Sequence, residues 1–153
     1  MMIAVDLDTP ANADVQALLL RHFELMRASS PEESCHVLEP DKLLERDAAL
    51  FAARDGGAVL GVGAIAVIEP GHGELKSMHT AAEARGRGVA RAILNALLDH
   101  ARDIGLKQVS LETGSAEMFA PARRLYAAHD FKECPPFGDY VLDPLSVFMT
   151  RQL

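Results

Sequence analysis

The run Glu74-Leu75-Lys76-Ser77-Met78-His79-Thr80, followed four residues later by Arg85-Gly86-Arg87-Gly88-Val89-Ala90, gathers most of the residues that could do chemistry. It reads as a strand, a turn carrying two arginines and two glycines, and a long amphipathic helix beginning near Gly88. The first N–H groups of a helix have no partner within it, and the helix dipole places about half a positive charge there. Glycines let an anion approach the main chain closely. Such a turn can cradle a diphosphate, with Arg85 and Arg87 as nearby cations.

Other phosphate motifs do not fit. A P-loop requires Gly-Lys-Ser/Thr, and here Gly88 is followed by Val89 and Ala90. A dinucleotide fingerprint requires a small residue where this chain has Arg91. The run does satisfy Gln/Arg-x-x-Gly-x-Gly/Ala through Arg85, Gly88 and Ala90, and so resembles the coenzyme A loop of the GNAT superfamily of N-acetyltransferases. The segment from Ala122 through Leu125, Tyr126 and Asp130 to Phe131 is similar to that family's A-x-x-L-Y-x-x-x-G-F, and the two motifs occur in the family's order. Leu111 to Ser115, Phe119 to Arg123 and Asp143 to Thr150 resemble the small bacterial subgroup typified by YsnE.

The resemblance implies an α+β fold: a mixed, mostly antiparallel sheet flanked by helices, in one N-acetyltransferase domain over residues 1–153. It implies acetyl-CoA as cosubstrate, its diphosphate on Arg85, Gly86, Arg87, Gly88, Val89 and Ala90 and its pantetheine arm beside main-chain groups of Met78 and Thr80. The implied reaction moves an acetyl group to a primary amine of a small molecule or peptide by direct attack in a ternary complex. An alkylammonium has a pKa near ~10.4, so about one molecule in ~10³ is nucleophilic at pH 7 and a base is needed. Glu74 aligns with a strand glutamate that some family members use as base, and burial would lift its pKa toward ~6 to 7. Its alternative is a charged strand end paired with Lys76 or Arg91, and a water chain to Glu74 or Glu112 is a further route. Tyr126 stands where the family's tyrosine faces the cofactor sulfur, so its phenol is expected to protonate the leaving thiolate.

The loop between the first two helices is where the family grips its acceptor, which points to Glu32, Ser34 and His36, together with Tyr140 and Asp143 near the C-terminus. A homodimer is also compatible with the family. Three positions depart from its pattern. Asp130 replaces a glycine, so a different helix cap is expected there. Phe119 replaces an asparagine that bonds pantetheine in many relatives, and His79 sits where the backbone does the binding. A non-catalytic acyl-CoA binding module is the alternative these departures admit; Tyr126 and Glu74 together favour the enzyme.

Composition narrows the class. The chain has 153 residues, 49% of them hydrophobic, enough for one ordinary core. Met1 to Asp8 lacks the basic start of a secretory leader, and the apolar stretch Ala58 to Ile68 is shorter than the roughly 20 residues of a membrane helix. A cytoplasmic protein that binds neither membrane nor nucleic acid is expected. Cys35 and Cys134 have no metal spacing, and the His72-x-Glu74 pair lacks the P-C-x-x-C of zinc deaminases, so no metal is implied. Residues 1–73 carry 12 acids and 5 bases, and residues 74–153 carry 10 of each. An acidic acceptor side would favour a cationic amine over nucleic acid; the alternative is that these acids simply solvate the surface.

These residues need a scaffold. Alternation predicts strands over Met2 to Leu7, Ala49 to Arg54, Ala58 to Ile68, Lys107 to Thr113 and Val147 to Gln152, besides the one at Glu74. Helices are predicted from a Thr9 cap to Arg27 with Leu18, Leu19, Phe23 and Met26 buried, over Pro40 to Arg46, from Gly88 to Gly105 with Val89, Ile93, Leu94, Leu97 and Ile104 buried, and over Phe119 to His129.

Overall fold

The structure, a computed structural model, describes residues 2–45 and 48–153, without the side chains of Glu32, Pro40, Leu44 and Glu45. Its elements follow the order β1 (Ala4–Asp8), α1 (Ala13–Ser29), α2 (Pro40–Glu45), β2 (Ala49–Asp55), β3 (Ala58–Glu69), β4 (His72–Thr80), α3 (Val89–Asp103), β5 (Gln108–Gly114), α4 (Ala120–Ala128), β6 (Lys132–Glu133) and β7 (Ser146–Gln152). The strands form one sheet in the order β1-β2-β3-β4-β5-β7-β6. Every neighbouring pair is antiparallel except β4 and β5, which the crossover through α3 makes parallel. The predicted α+β class and mixed sheet are therefore what the chain adopts. None of the described helices is long and apolar enough to cross a membrane.

Helix α3 packs against β3 because two glycines remove side chains beneath it. A Cβ on Gly61 would lie 2.7 Å from Val89 Cγ1, and one on Gly63 would lie 2.7 Å from Ile93 Cγ2. Val62 points to the other face by strand alternation, and its partner His79 meets His22 of α1 there, so α1 and α3 cover opposite faces. The core runs through Val15, Leu19, Val62, Ile93, Leu97 and Val109, each at most 1% exposed.

Local details differ from the sequence prediction in places. The N-cap of α1 is Asn12, because Thr9 closes a preceding turn in which Asn12 N–H donates to its carbonyl at 3.1 Å. The buried stripe of α1 is Val15, Leu18, Leu19 and His22; Phe23 and Met26 lie at the half-buried margin. Ile104 is 48% exposed, since α3 has ended and its residue caps the helix. Arg46, the expected last residue of α2, lies outside the described residues.

Helix α4 ends as the family motif would, against the expectation from Asp130. The amide of Phe131 donates to Tyr126 O at 3.1 Å and that of Asp130 to Ala127 O at 3.2 Å, the paired bonds of a Schellman cap. Asp130 itself takes the left-handed conformation, at φ 68°. Aspartate is among the few non-glycine residues that visit it, because its short side chain can bond locally.

Candidate active site

The site begins where β4 and β5 part. Their parallel pairing covers only His72 with Gln108, Gly73 with Val109 and Glu74 with Ser110. Beyond Glu74 the two strands diverge, and on its β5 side β4 toward Thr80 faces a cleft instead of a neighbouring strand. A bulge sharpens the bend: Lys76 to His79 on β4 spans only Ala64 to Val62 on β3. Ser77 absorbs it at φ 57°, a strained value for a residue with a Cβ. The cleft between the strands measures about 930 Å³.

One end of this cleft meets the N-terminus of α3. Gly86 and Gly88 both stand at φ 79°, and Gly88 is the N-cap. Its carbonyl accepts the Ala92 amide at 3.1 Å, which leaves the preceding first-turn N–H groups outside the helical ladder. The first turn has no acidic residue and no side-chain cap. Arg85, Gly86, Gly88, Val89 and Ala90 line the cleft, as do Met78 and Thr80; Arg91 joins them, whereas Arg87 is exposed and stands away from the lining. A cradle with open N–H groups, open space over both glycines and flanking arginines has the donor set that a diphosphate requires.

The floor holds the titratable groups. Glu74 is 4% exposed. Its Oε2 accepts from the Tyr140 hydroxyl at 2.5 Å and lies 3.1 Å from Lys76 Nζ, which also donates to the Tyr140 oxygen at 3.1 Å. Pairing with Lys76, the alternative reading of Glu74, is thus its geometry here. Two residues beyond the last paired position, Glu112 projects from the same face of β5 as Ser110 and lines the cleft. Burial pushes its carboxyl up to about 7, the Ser146 hydroxyl and Lys76 pulling back and Glu74 and Asp143 adding to the rise. Tyr126 of α4 is 6% exposed and also lines the cleft. Burial first, and Glu112 second, raise its phenol well above the ordinary range, so it holds its proton at neutral pH.

The profile of the Acetyltransferase (GNAT) family matches residues 14–131. The chain belongs to this family. It is 39% identical over 149 residues to the uncharacterized N-acetyltransferase YsnE of Bacillus subtilis (strain 168), covering 97% of this chain and 99% of YsnE. It is 40% identical over 152 residues to the uncharacterized N-acetyltransferase YedL of Escherichia coli (strain K12), covering 99% and 96%. A crystal structure from Klebsiella pneumoniae subsp. pneumoniae, described as an acyl-CoA N-acyltransferase, superposes with a TM-score of 0.80 at 28% identity over 99% of this chain and 98% of its own. The YsnE-like assignment stands, and the protein is an acetyltransferase.

At the far end of the GNAT cleft, the two loops named from the sequence meet. Ser34 Oγ donates to Asp143 Oδ2 at 2.6 Å, and this bond holds the Asp143 carboxyl below its ordinary range. The His36 ring stands edge-on to Tyr140, with centroids 4.9 Å apart. Ser34, His36 and Tyr140 line the cleft; Asp143 braces it from outside. The side chain of Glu32 lies outside the described residues. The C-terminal loop is pinned to the end of β5, where Ser115 Oγ donates to Pro144 O at 2.7 Å and its amide to Leu145 O at 3.0 Å. Phe119 lies against Gly114, where a Cβ would reach its ring, and contributes an apolar wall in place of an amide.

Sequence reasoning missed one pair. His22 Nδ1 lies 3.2 Å from His79 Nδ1, and both rings line the cleft. Burial drives both down, His22 to about 3 with help from His79, and His79 to about 4 with help from Arg21 and Arg85. The pair is neutral at pH 7, one ring donating to the other. A histidine at buried-stripe spacing after Leu18 and Leu19 was the available signal. Among the described residues no group of three or more His, Cys, Asp or Glu side chains converges as a metal site would.

Proposed function

We propose that the protein transfers the acetyl group of acetyl-CoA to a primary amine of a small molecule or peptide, by direct attack in a ternary complex. One observation carries this reading: a single cleft runs from the α3 cradle along the unpaired edge of β4 to Glu112, Glu74 and Tyr126. Acetyl-CoA supplies an activated thioester, and Arg85, Gly86, Gly88, Val89 and Ala90 would hold its diphosphate, with Met78 and Thr80 offering main-chain groups to the arm.

Glu112 takes the ammonium proton. A carboxyl near pKa 7 is half-ionised at neutral pH and is a far better base than an exposed glutamate. Glu74, the base expected from the sequence, has its Oε2 engaged by Lys76 and Tyr140, so it organises the floor and is the weaker candidate. The freed amine forms the new C–N bond as the C–S bond breaks, its nitrogen releasing a second proton to solvent, and Tyr126 donates its proton to the departing sulfur. That oxygen then recovers a proton from solvent.

The test is acceptor-dependent release of coenzyme A thiol across a panel of primary amines and short peptides, with Tyr126→Phe alongside. Loss of the donor should lower kcat by ~10² to 10⁴ with little change in acetyl-CoA affinity. A Tyr126→Phe enzyme that turns over normally would refute the assigned acid.

A further inference from the structure

The acceptor half of the cleft carries much less negative charge than the chain's composition suggests. Of the 12 acids in residues 1–73, none with a described side chain lines the cleft. Asp8 and Asp14, for example, are held on Arg54 at 3.0 and 2.7 Å, away from the cleft. On the floor, Glu74 and Lys76 cancel one another, their side chains 5% and 8% exposed. Asp143 is turned to Ser34. Among the described residues, Glu112 is the one carboxyl lining the cleft without a paired cation.

Apolar and aromatic side chains make up much of this wall, beside Ser30, Ser34, Cys35 and His36. Leu25 and Met26 at the end of α1, and Val37 and Leu38 in the following loop, line one side; Leu145 and the Tyr140 ring line the other. Tyr140 is fixed among Phe137 and Phe148, at centroid distances of 5.2 and 5.4 Å, and the Ser34–Asp143 bond bridges the two flanking loops. A chain of methylenes or a ring buried here gains about 0.8 kcal/mol per CH₂. Among the described residues this wall offers no carboxylate to a second ammonium, which would be desolvated there without a counter-ion.

We infer that the acceptor is a small monoamine with an apolar body, its nitrogen at Glu112 and its body against Leu25, Met26, Val37 and Leu38. This rests on the acetyltransfer reading above and narrows its acceptor.

Hexylamine and 1,5-diaminopentane form a matched pair, since the second amino group replaces a methyl. Thiol release by the full-length enzyme should give hexylamine a kcat/KM at least about 10-fold higher, and the series from propylamine to hexylamine should rise by about 4-fold per methylene. Val37→Glu places a carboxylate on the apolar wall and should shift the hexylamine-to-diamine ratio toward the diamine; the ratio, not the rate, is what it reads. A diamine or an alanine-terminated tetrapeptide used as well as hexylamine, or a ratio unmoved in Val37→Glu, overturns the inference and leaves acetyltransfer standing. Release with no amine at all overturns the acetyltransfer reading and the inference with it.

Discussion

Replacing Glu112 by glutamine separates the stability and catalytic consequences of burying one carboxyl. Its pKa stands near 7 in the folded chain against an ordinary value of 4.5. Between those values the folded chain holds a proton that the unfolded chain has released, so stability falls as pH rises from 4.5 to 7 and the full penalty remains above 7. At about 1.36 kcal/mol per pKa unit, and allowing for residual solvent contact, the native state loses about 2 to 3 kcal/mol at pH 8. Glutamine keeps the shape and cannot ionise. Glu112→Gln should therefore melt about 5–10 °C above the wild type at pH 8, with the difference shrinking below pH 5. The same variant should lose ~10² to 10⁴ in kcat/KM and the ascending limb of the pH–rate profile near 7. Calorimetry at pH 5 and 8 and thiol-release kinetics over pH 5.5–9 read both effects. Equal melting temperatures at pH 8 would refute the desolvation argument; an ascending limb kept in the variant would place the base elsewhere.

Gly88→Val should cost the fold roughly 1 to 2 kcal/mol, because the N-cap sits at φ 79°, yet weaken coenzyme A binding on the order of 100-fold through loss of charge-assisted bonds. Urea midpoints beside calorimetric binding check this, and matched losses would contradict the cradle. Asp130→Gly should raise stability by about 0.5 to 1 kcal/mol by relieving a left-handed aspartate whose contact with Arg151, at 3.8 Å, is exposed and weak. Thermal melts that move downward would show the aspartate has a compensating role. In the His22–His79 pair, the unfolded chain takes up protons below about pH 6.5 that the folded chain refuses until about 4, so stability falls as pH drops through that window. His22→Gln should flatten this slope in urea midpoints taken at pH 5 and 7.5; an unchanged slope would place the acid sensitivity in other groups.

The parts of the site legible in the sequence are those built from consecutive residues. Arg85 to Ala90 is a turn and a helix start in a single run, and the glycines that its left-handed angles require are visible as letters. Glu74 and Lys76 share one face of β4 by alternation, so their pairing could be foreseen. The bulge could not: Ser77 at φ 57° has no compositional signature, since serine is not selected for that conformation. Asp130 shows the converse. A glycine motif without its glycine suggested another cap, but the bonds of Phe131 and Asp130 to the helix outweigh a modest left-handed cost.

Charge counted along the chain did not map onto the cleft, and the reason is topological. The acids of residues 1–73 with described side chains fall on β1, α1, α2, the ends of β2 and β3 and the intervening loops, outside the cleft lining; Asp8 and Asp14 meet Arg54, and Glu69 meets His72. The floor is made instead by the β4–β5 junction, where strand order joins residue 74 to residue 110 across a helical crossover. Only that register shows that Glu112 stands beyond the last rung, near both Glu74 and Lys76. These two act on Glu112 in opposite directions, Glu74 raising its pKa and Lys76 lowering it. Because their charges oppose, burial sets the proton affinity of Glu112. The Glu74–Lys76–Tyr140 cluster thus leaves Glu112 as the carboxyl on the floor without a paired cation, while Arg85 and Arg91 carry the charge of the cradle, and the apolar residues of the acceptor wall can take an apolar body.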